Sequence, residues 1–331
     1  MPENQKPLLS IEHMVKQFPV KQSLFEIISR RPVKYVRAVD DVSLDILKSE
    51  TVGLVGESGC GKSTLAKTIC RLYPLDGGRV LYDGDDVFGM DKTALRKARF
   101  KMQMIFQDPY SSLNPRMTVR QMLYEVLSVH HLCEPDKKEQ ECLRILDLVG
   151  LDKNALDRYP SQFSGGQRQR ISIARALIMK PEMLIADEPV SALDVSIQAQ
   201  VINLLIELKQ SLNLTMLFIS HDLRVIRYIS DRVVVMYLGK VVETGETEAL
   251  FDHPRHPYTD ILMKAAPAVD PDSKGRDYAI QGETPSPLKI PKGCRFHPRC
   301  PYARDICSQC EPELKDIGGG RSVACHFMLD Q

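Results

Sequence analysis

Apolar and polar residues alternate over 8–15 and again over 38–46, the period-two pattern of half-buried strands. A continuously apolar run at 51–55 reads as a buried strand, and a glycine-rich turn then opens a helix that reaches about residue 71. Asp83-Gly84, directly after Val80-Leu81-Tyr82, predicts a hairpin turn. Between 117 and 150 the period becomes that of a helix. Thr118 stands as a cap before apolar positions Val119, Met122, Leu123, Val126 and Leu127. A second helix from Asp136 is predicted to turn Leu143, Leu146 and Val149 inward and to close at Gly150. Downstream, a helix (164–178), a strand (183–186), a helix (197–208) and a strand (215–219) alternate, which predicts a parallel sheet flanked by helices. From Pro254 onward proline and glycine rise and the periodicity fades. The pattern is that of an α/β fold with a helical insert and a non-periodic tail.

With 331 residues, the chain has room for about two domains. Lys+Arg and Asp+Glu stand at 44 and 43 and leave a net charge of +1, so a bulk polyanion binder is not expected and no nucleic-acid partner is predicted. The longest apolar runs, 216–219 and 233–238, fall far short of the about 18 residues needed to span a bilayer. The N-terminal residues lack the apolar core of a signal peptide, and the expectation is a cytosolic protein whose membrane role comes through a partner. A basic stretch between the first two strands, with Arg30, Arg31, Lys34 and Arg37, reads as a solvated loop. The cysteines are unevenly placed: Cys60, Cys70, Cys133 and Cys142 are scattered, whereas five crowd between Cys294 and Cys325. The crowding points to a metal or cluster site in the tail rather than to a disulfide framework.

Gly56-Glu57-Ser58-Gly59-Cys60-Gly61-Lys62-Ser63-Thr64 fits G-x-x-x-x-G-K-[ST] and lies between a predicted strand and helix. Its glycines let backbone N–H groups curl round a phosphate, and the helix start adds partial positive charge. Lys62 can reach the β- and γ-phosphates and the Ser63 hydroxyl can ligate magnesium. The apolar strand 183–186 runs into Asp187 and Glu188. Their side chains diverge, so Asp187 can serve magnesium while Glu188 polarises an attacking water. Taken alone, an acid at a strand end is more often a helix cap; after a P-loop the catalytic reading is the stronger. Ser164, Gly165, Gly166 and Gln167 open a second glycine-bearing helix start. Sequence physics alone reads it as a capped helix.

Together these pieces resemble the nucleotide-binding domain of ABC ATPases. The P-loop, the signature at Phe163 to Gln167 with phenylalanine for the usual leucine, and the Asp187-Glu188 pair are joined by four more elements in the family's order. Gln107 resembles the Q-loop glutamine, Asp194 the D-loop aspartate and His221 the switch histidine. Phe18 resembles the aromatic that stacks on adenine, with Tyr35 the alternative. The resemblance implies a P-loop NTPase fold of ABC type over 8–250, made of a parallel core sheet, an antiparallel β subdomain and a helical subdomain at about 108–165. It implies ATP and Mg²⁺ as ligands, with Ser63, Gln107 and Asp187 at the metal and Glu188, His221 and Gln107 in catalysis. Two such domains would pair head to tail, so that Ser164, Gly165, Gly166, Gln167 and Asp194 serve the nucleotide held by the neighbour.

The tail narrows the resemblance. His253 to Tyr258, the stretch from Cys294 to Cys307, and Cys325-His326 are similar to the C-terminal extension of oligopeptide and dipeptide permease ATPases, here 251–331. The N-terminal Phe18-Pro19-Val20-Lys21, with a basic insertion before Arg37-Ala38-Val39-Asp40, is similar to the second ATPase subunit of such systems. A peripheral ATPase on the cytoplasmic face of the cell membrane is implied, working with a second, paralogous ATPase, two transmembrane permease subunits and an extracytoplasmic substrate-binding protein. The solute stays open between peptides, nickel and other small molecules, and a soluble ABC ATPase acting on ribosomes or DNA is the rival from another class. The spacing of Cys294, Cys300, Cys307 and Cys325 is similar to that of relatives with a [4Fe–4S] cluster; zinc and plain thiols are the alternatives, and Cys310 is an extra candidate.

Overall fold

The computed structural model describes residues 6–23, 28–29, 32–108, 112–265 and 285–330. Arg30 and Arg31 of the expected basic loop lie outside the described residues. The chain forms two compact units, one of Met1–Leu47, Val52–Gly89 and His221–Gln331, the other of Lys48–Thr51 and Met90–Ser220.

The first unit opens with strands β1 (Leu9–Pro19), β2 (Tyr35–Ile46) and β3 (Thr51–Val55), helix α1 (Lys62–Ile69) and strands β4 (Gly77–Tyr82) and β5 (Asp85–Asp86). β2, β1, β4 and β5 lie side by side in that order as an antiparallel sheet. Leu9 is opposite Ile46 on one side and Tyr82 on the other, and the alternation of the sequence becomes a buried row of Leu9, Ile11, Val42, Ile46 and Val80. Asp83-Gly84 joins β4 to β5.

In the second unit the elements are α2 (Lys92–Lys101), β6 (Met102–Ile105), α3 (Val119–Val129), α4 (Lys138–Leu148), α5 (Gly165–Leu177), β7 (Met183–Asp187), α6 (Val195–Leu212) and β8 (Thr215–Ile219). β6, β7 and β8 are parallel, with Met183 beside Met102 on one side and Thr215 on the other. Every residue of β7 and β8 is buried, as continuous apolar runs in a parallel sheet require. Thr118 caps α3 in a reciprocal box with Gln121. The expected inward face of α4 is out of phase at one position. Cys142, Ile145, Leu146 and Val149 face inward, and Leu143 is exposed. The stripe starts at Cys142, and the next residue points about 100° away round the helix.

The chain then returns to the first unit with α7 (Leu223–Ile229), β9 (Arg232–Tyr237), β10 (Lys240–Glu246), α8 (Thr247–Asp252), α9 (Pro257–Ala265), α10 (Asp305–Gln309), β11 (Lys315–Gly318) and β12 (Arg321–Val323). β9 runs parallel to β3 and antiparallel to β10, and β12 and β11 follow on from β10. The non-periodic tail is therefore woven into this unit. Glu243 of β10 is fully buried beside the tail strand. Its carboxylate accepts from the Arg321 guanidinium and from the backbone N–H groups of Arg255 and His256, both at 2.9 Å. A buried charge so fully bonded holds the tail to the sheet, and removing one partner would leave it uncompensated.

Candidate functional site

In the first unit the loop between β3 and α1 has the shape its glycines require. Gly61, the N-cap of α1, has φ +110°, and a Cβ there would stand 2.0 Å from the Ala38 carbonyl oxygen. Only glycine fits both demands. No side chain caps α1, which opens directly on the glycine. The Lys62 side chain is buried and its Nζ donates to the carbonyls of Gly56 (2.7 Å) and Glu57 (3.1 Å). Ser58 and Gly59 form the exposed rim, Cys60 is buried below it, and Ser63 and Thr64 are half-buried in the first helical turn. Burial pushes the Cys60 thiol up, against the opposing charge of Lys62.

Glu57 is held by two residues far along the chain. Its carboxylate takes two hydrogen bonds from Arg299, at 2.8 and 2.9 Å, and its backbone N–H donates to the Tyr258 hydroxyl at 2.9 Å. Both partners lie in the tail stretches that carry the resemblance, but no periodicity or spacing in the sequence joins them to Glu57.

The same unit carries the two adenine candidates on paired strands, one residue out of register and so on opposite faces of the sheet. Phe18 of β1 is half-buried, edge-on to Tyr73 at 5.2 Å, with Lys16 Nζ 5.1 Å from its ring centre. Tyr35 of β2 is opposite Pro19 and exposed. His221 is exposed just before α7, which Asp222 caps through the Arg224 N–H.

In the second unit β7 delivers its two acids to different surroundings. Asp187 is buried, whereas Glu188 is half-buried with φ +47°. That left-handed conformation costs a non-glycine residue about 1–3 kcal/mol and persists only where its surroundings hold it. The Glu188 N–H donates to Ile219 O at 2.9 Å, and the Gln107 amide Nε2 donates to Glu188 Oε2 at 3.0 Å. The fold thus brings the Q-loop glutamine onto the acid expected to polarise water.

At the signature, Ser164 caps α5 through the Gln167 N–H, and the Gln167 side chain accepts from the Ser164 N–H at 3.1 Å. A Cβ on Gly166 would meet Ile197 Cγ2 at 2.3 Å, so this glycine lets α5 approach α6. Asp194 precedes α6 without capping it by its side chain, and the neighbouring Val195 is exposed.

In the tail, one small cavity of about 10 Å³ is lined by Cys294, Cys300, Cys307 and Cys325 together with Phe296, Phe327 and the histidines His256, His297 and His326. Cys310 is exposed and absent from that lining. His297 Nδ1 and His326 Nε2 each sit 2.9 Å from a backbone carbonyl, those of Cys294 and Cys310. Burial raises the thiols of Cys294 and Cys300 and pushes Cys325 up to about 11. Among the described residues, no group of three or more His, Cys, Asp or Glu is gathered as ligands for a metal ion. The four sulfurs of Cys294, Cys300, Cys307 and Cys325 line this one cavity without being gathered as a ligand group.

Comparison with known proteins extends over nearly the whole chain. Residues 39–191 match the ABC transporter family and residues 242–307 the C-terminal region of oligopeptide/dipeptide transporters. The oligopeptide transport ATP-binding protein AppF of Bacillus subtilis (strain 168) is 49% identical over 327 residues, 98% of either chain. The dipeptide transport ATP-binding protein DppF of Escherichia coli (strain K12) is 46% identical, covering 99% of this chain and 96% of its own. A solved dimeric, post-hydrolysis state of the ATP-binding cassette MJ0796 with ADP and Pi superposes with a TM-score of 0.62 at 27% identity, over 72% of this chain and 98% of that one.

Proposed function

The chain belongs to the ABC transporter ATP-binding proteins, and we propose that it is the ATP-hydrolysing subunit that energises import of dipeptides or oligopeptides across the cell membrane. One observation carries this reading: AppF and DppF, both named for peptide transport, match it from the P-loop through the tail. Those names favour peptides over nickel or another small solute, and over work on ribosomes or DNA. Among the described residues no helix is long and apolar enough to cross a membrane, so coupling runs through partner subunits. A second, paralogous ATPase, two permease subunits and an extracytoplasmic binding protein are the proposed partners, at the cytoplasmic face of the membrane.

The P-loop N–H groups and Lys62 take the phosphates of ATP, and Phe18 or Tyr35 takes the adenine. Ser63, Asp187 and Gln107 offer hydroxyl, carboxylate and amide oxygens, a hard donor set suited to magnesium, which would neutralise phosphate charge. Glu188 accepts the proton of the attacking water, oriented by the Gln107 amide, and His221 steadies the γ-phosphate. Ser164, Gly165, Gly166, Gln167 and Asp194 act on the partner's nucleotide. Glu188→Gln is expected to slow phosphate release by the assembled complex by about 10²–10⁴-fold while ATP binding persists; unchanged turnover would remove Glu188 from this role. A mild-detergent pull-down tests the assembly: two polytopic membrane proteins and a second ATPase support it, whereas ribosomes or nucleic acid overturn it.

We further propose that the tail cysteines take a metal group, [4Fe–4S] ahead of zinc, on Cys294, Cys300, Cys307 and Cys325. What supports it is the sharing of one cavity by these four sulfurs while Cys310 lies outside. Anaerobic purification followed by iron, acid-labile sulfide and zinc assays decides it: absence of all three leaves plain thiols.

A further inference from the structure

Glu57, the second residue of the P-loop, is fixed at every polar group it owns. Its carbonyl accepts from Lys62 Nζ, its N–H donates to the Tyr258 hydroxyl, and its carboxylate is bound by both terminal nitrogens of Arg299. Tyr258 and Arg299 belong to the tail, and each is seated by contacts of its own. Tyr258 is fully buried in a cluster with Tyr237 (ring centres 4.7 Å apart) and Phe296 (5.3 Å). It lies two residues beyond His256, whose N–H group, like that of Arg255, donates to buried Glu243. The Arg299 side chain is 6% exposed and also donates to the Tyr237 hydroxyl at 3.2 Å. Tyr237 ends β9, and the preceding Met236 carbonyl lies where a Cβ on Gly56 would fall, 2.2 Å away. One aromatic cluster therefore seats both tail residues and borders the start of the loop.

The electrostatics give this contact a direction. A carboxylate one residue into a phosphate-binding loop repels phosphates unless it is neutralised, and two charge-assisted bonds from one guanidinium neutralise it and fix the backbone beside it. We infer that Arg299 and Tyr258 are positioning residues for the P-loop, through which the C-terminal tail sets nucleotide affinity. The inference rests on the ATPase reading above and extends it to a part of the chain outside the ATPase motifs.

The test is binding of a fluorescent ATP analogue to the full-length chain, followed by anisotropy. Arg299→Ala is expected to raise Kd about tenfold, the scale of one charge-assisted pair. Adding Glu57→Gln to that variant removes the unneutralised carboxylate and should bring Kd back to within about threefold of wild type. Arg299→Lys keeps the charge and one of the two bonds, and its Kd should fall between wild type and Arg299→Ala. Tyr258→Phe should raise Kd about threefold. In the assembled complex the same variants should raise KM for ATP more than they lower kcat. Folded Arg299→Ala with Kd within about twofold of wild type, or no recovery in the double variant, would overturn the inference. Should Arg299→Ala not fold, wild-type affinity in both Arg299→Lys and Tyr258→Phe would do so. Lys62→Ala separates the two levels: if it binds ATP as wild type does, the ATPase reading itself falls and this inference with it.

Discussion

The two glycine-bearing helix starts, α1 after the P-loop and α5 after the signature, look alike in sequence and are built in opposite ways. α1 has a glycine N-cap and no side-chain cap, and the loop before it is held from outside by Arg299 and Tyr258. α5 is closed on itself by the reciprocal Ser164–Gln167 box. The Ser164 hydroxyl accepts from the Gln167 N–H and keeps its own proton, which it can still donate to another molecule's phosphate. An open start is a standing anion site. The difference is one of support: the P-loop is held by residues of the tail, whereas the signature helix start is held by its own side chains.

Gly61→Ala tests the open start most severely. With φ +110° and the Ala38 oxygen 2.0 Å from the new Cβ, the loop cannot keep its form. Nucleotide affinity should fall by more than about a hundredfold in a titration of the isolated chain. Gly166→Ala strikes the closed start by a different route. Its Cβ meets Ile197, and overpacking should cost about 1–3 kcal/mol of stability, read from the urea midpoint, while the chain's own P-loop still binds ATP. Ser164→Ala removes the cap and should cost about 1 kcal/mol. Its stronger signature is functional: hydrolysis by the assembled complex falls while ATP binding by the isolated chain does not change. If binding by the isolated chain fell as well, the contrast between the two starts would fail.

A last prediction concerns Cys142 in α4, within the helical insert. Burial pushes its thiol up to about 12 from 9.0, so the folded form keeps its proton where the unfolded chain has lost it. That contribution to stability is intact below pH 9 and is lost as pH rises toward 12. Replacing Cys142 with Ala should flatten the alkaline side of a plot of urea midpoint against pH; an unchanged slope would show that this thiol does not titrate on unfolding.

The P-loop, the acidic strand end and most strands and helices were legible because each rests on local spacing. Thr118 and Ser164 were readable as caps for the same reason, since a cap and its partner lie three residues apart. Leu143 was misplaced because apolar character tells how much a residue gains by burial but does not set the phase of a short stripe, which its neighbours in space decide. The tail strands escaped notice because β11 and β12 are only four and three residues long, with little alternation to betray them.

What the sequence determined by itself is chemistry carried on contiguous residues: a loop able to surround phosphate, two acids ending one strand, a helix start with its own cap, and cysteines crowded into one segment. Tertiary structure alone decided which distant groups complete that chemistry. Gln107 meets Glu188 from 81 residues away, and Arg299 meets Glu57 from 242. It also decided that four of the five tail cysteines share a cavity while Cys310 does not. Local spacing is fixed by bond geometry, and the chain writes it down directly. A contact between distant residues exists only once burial of the apolar strands has folded the backbone around it.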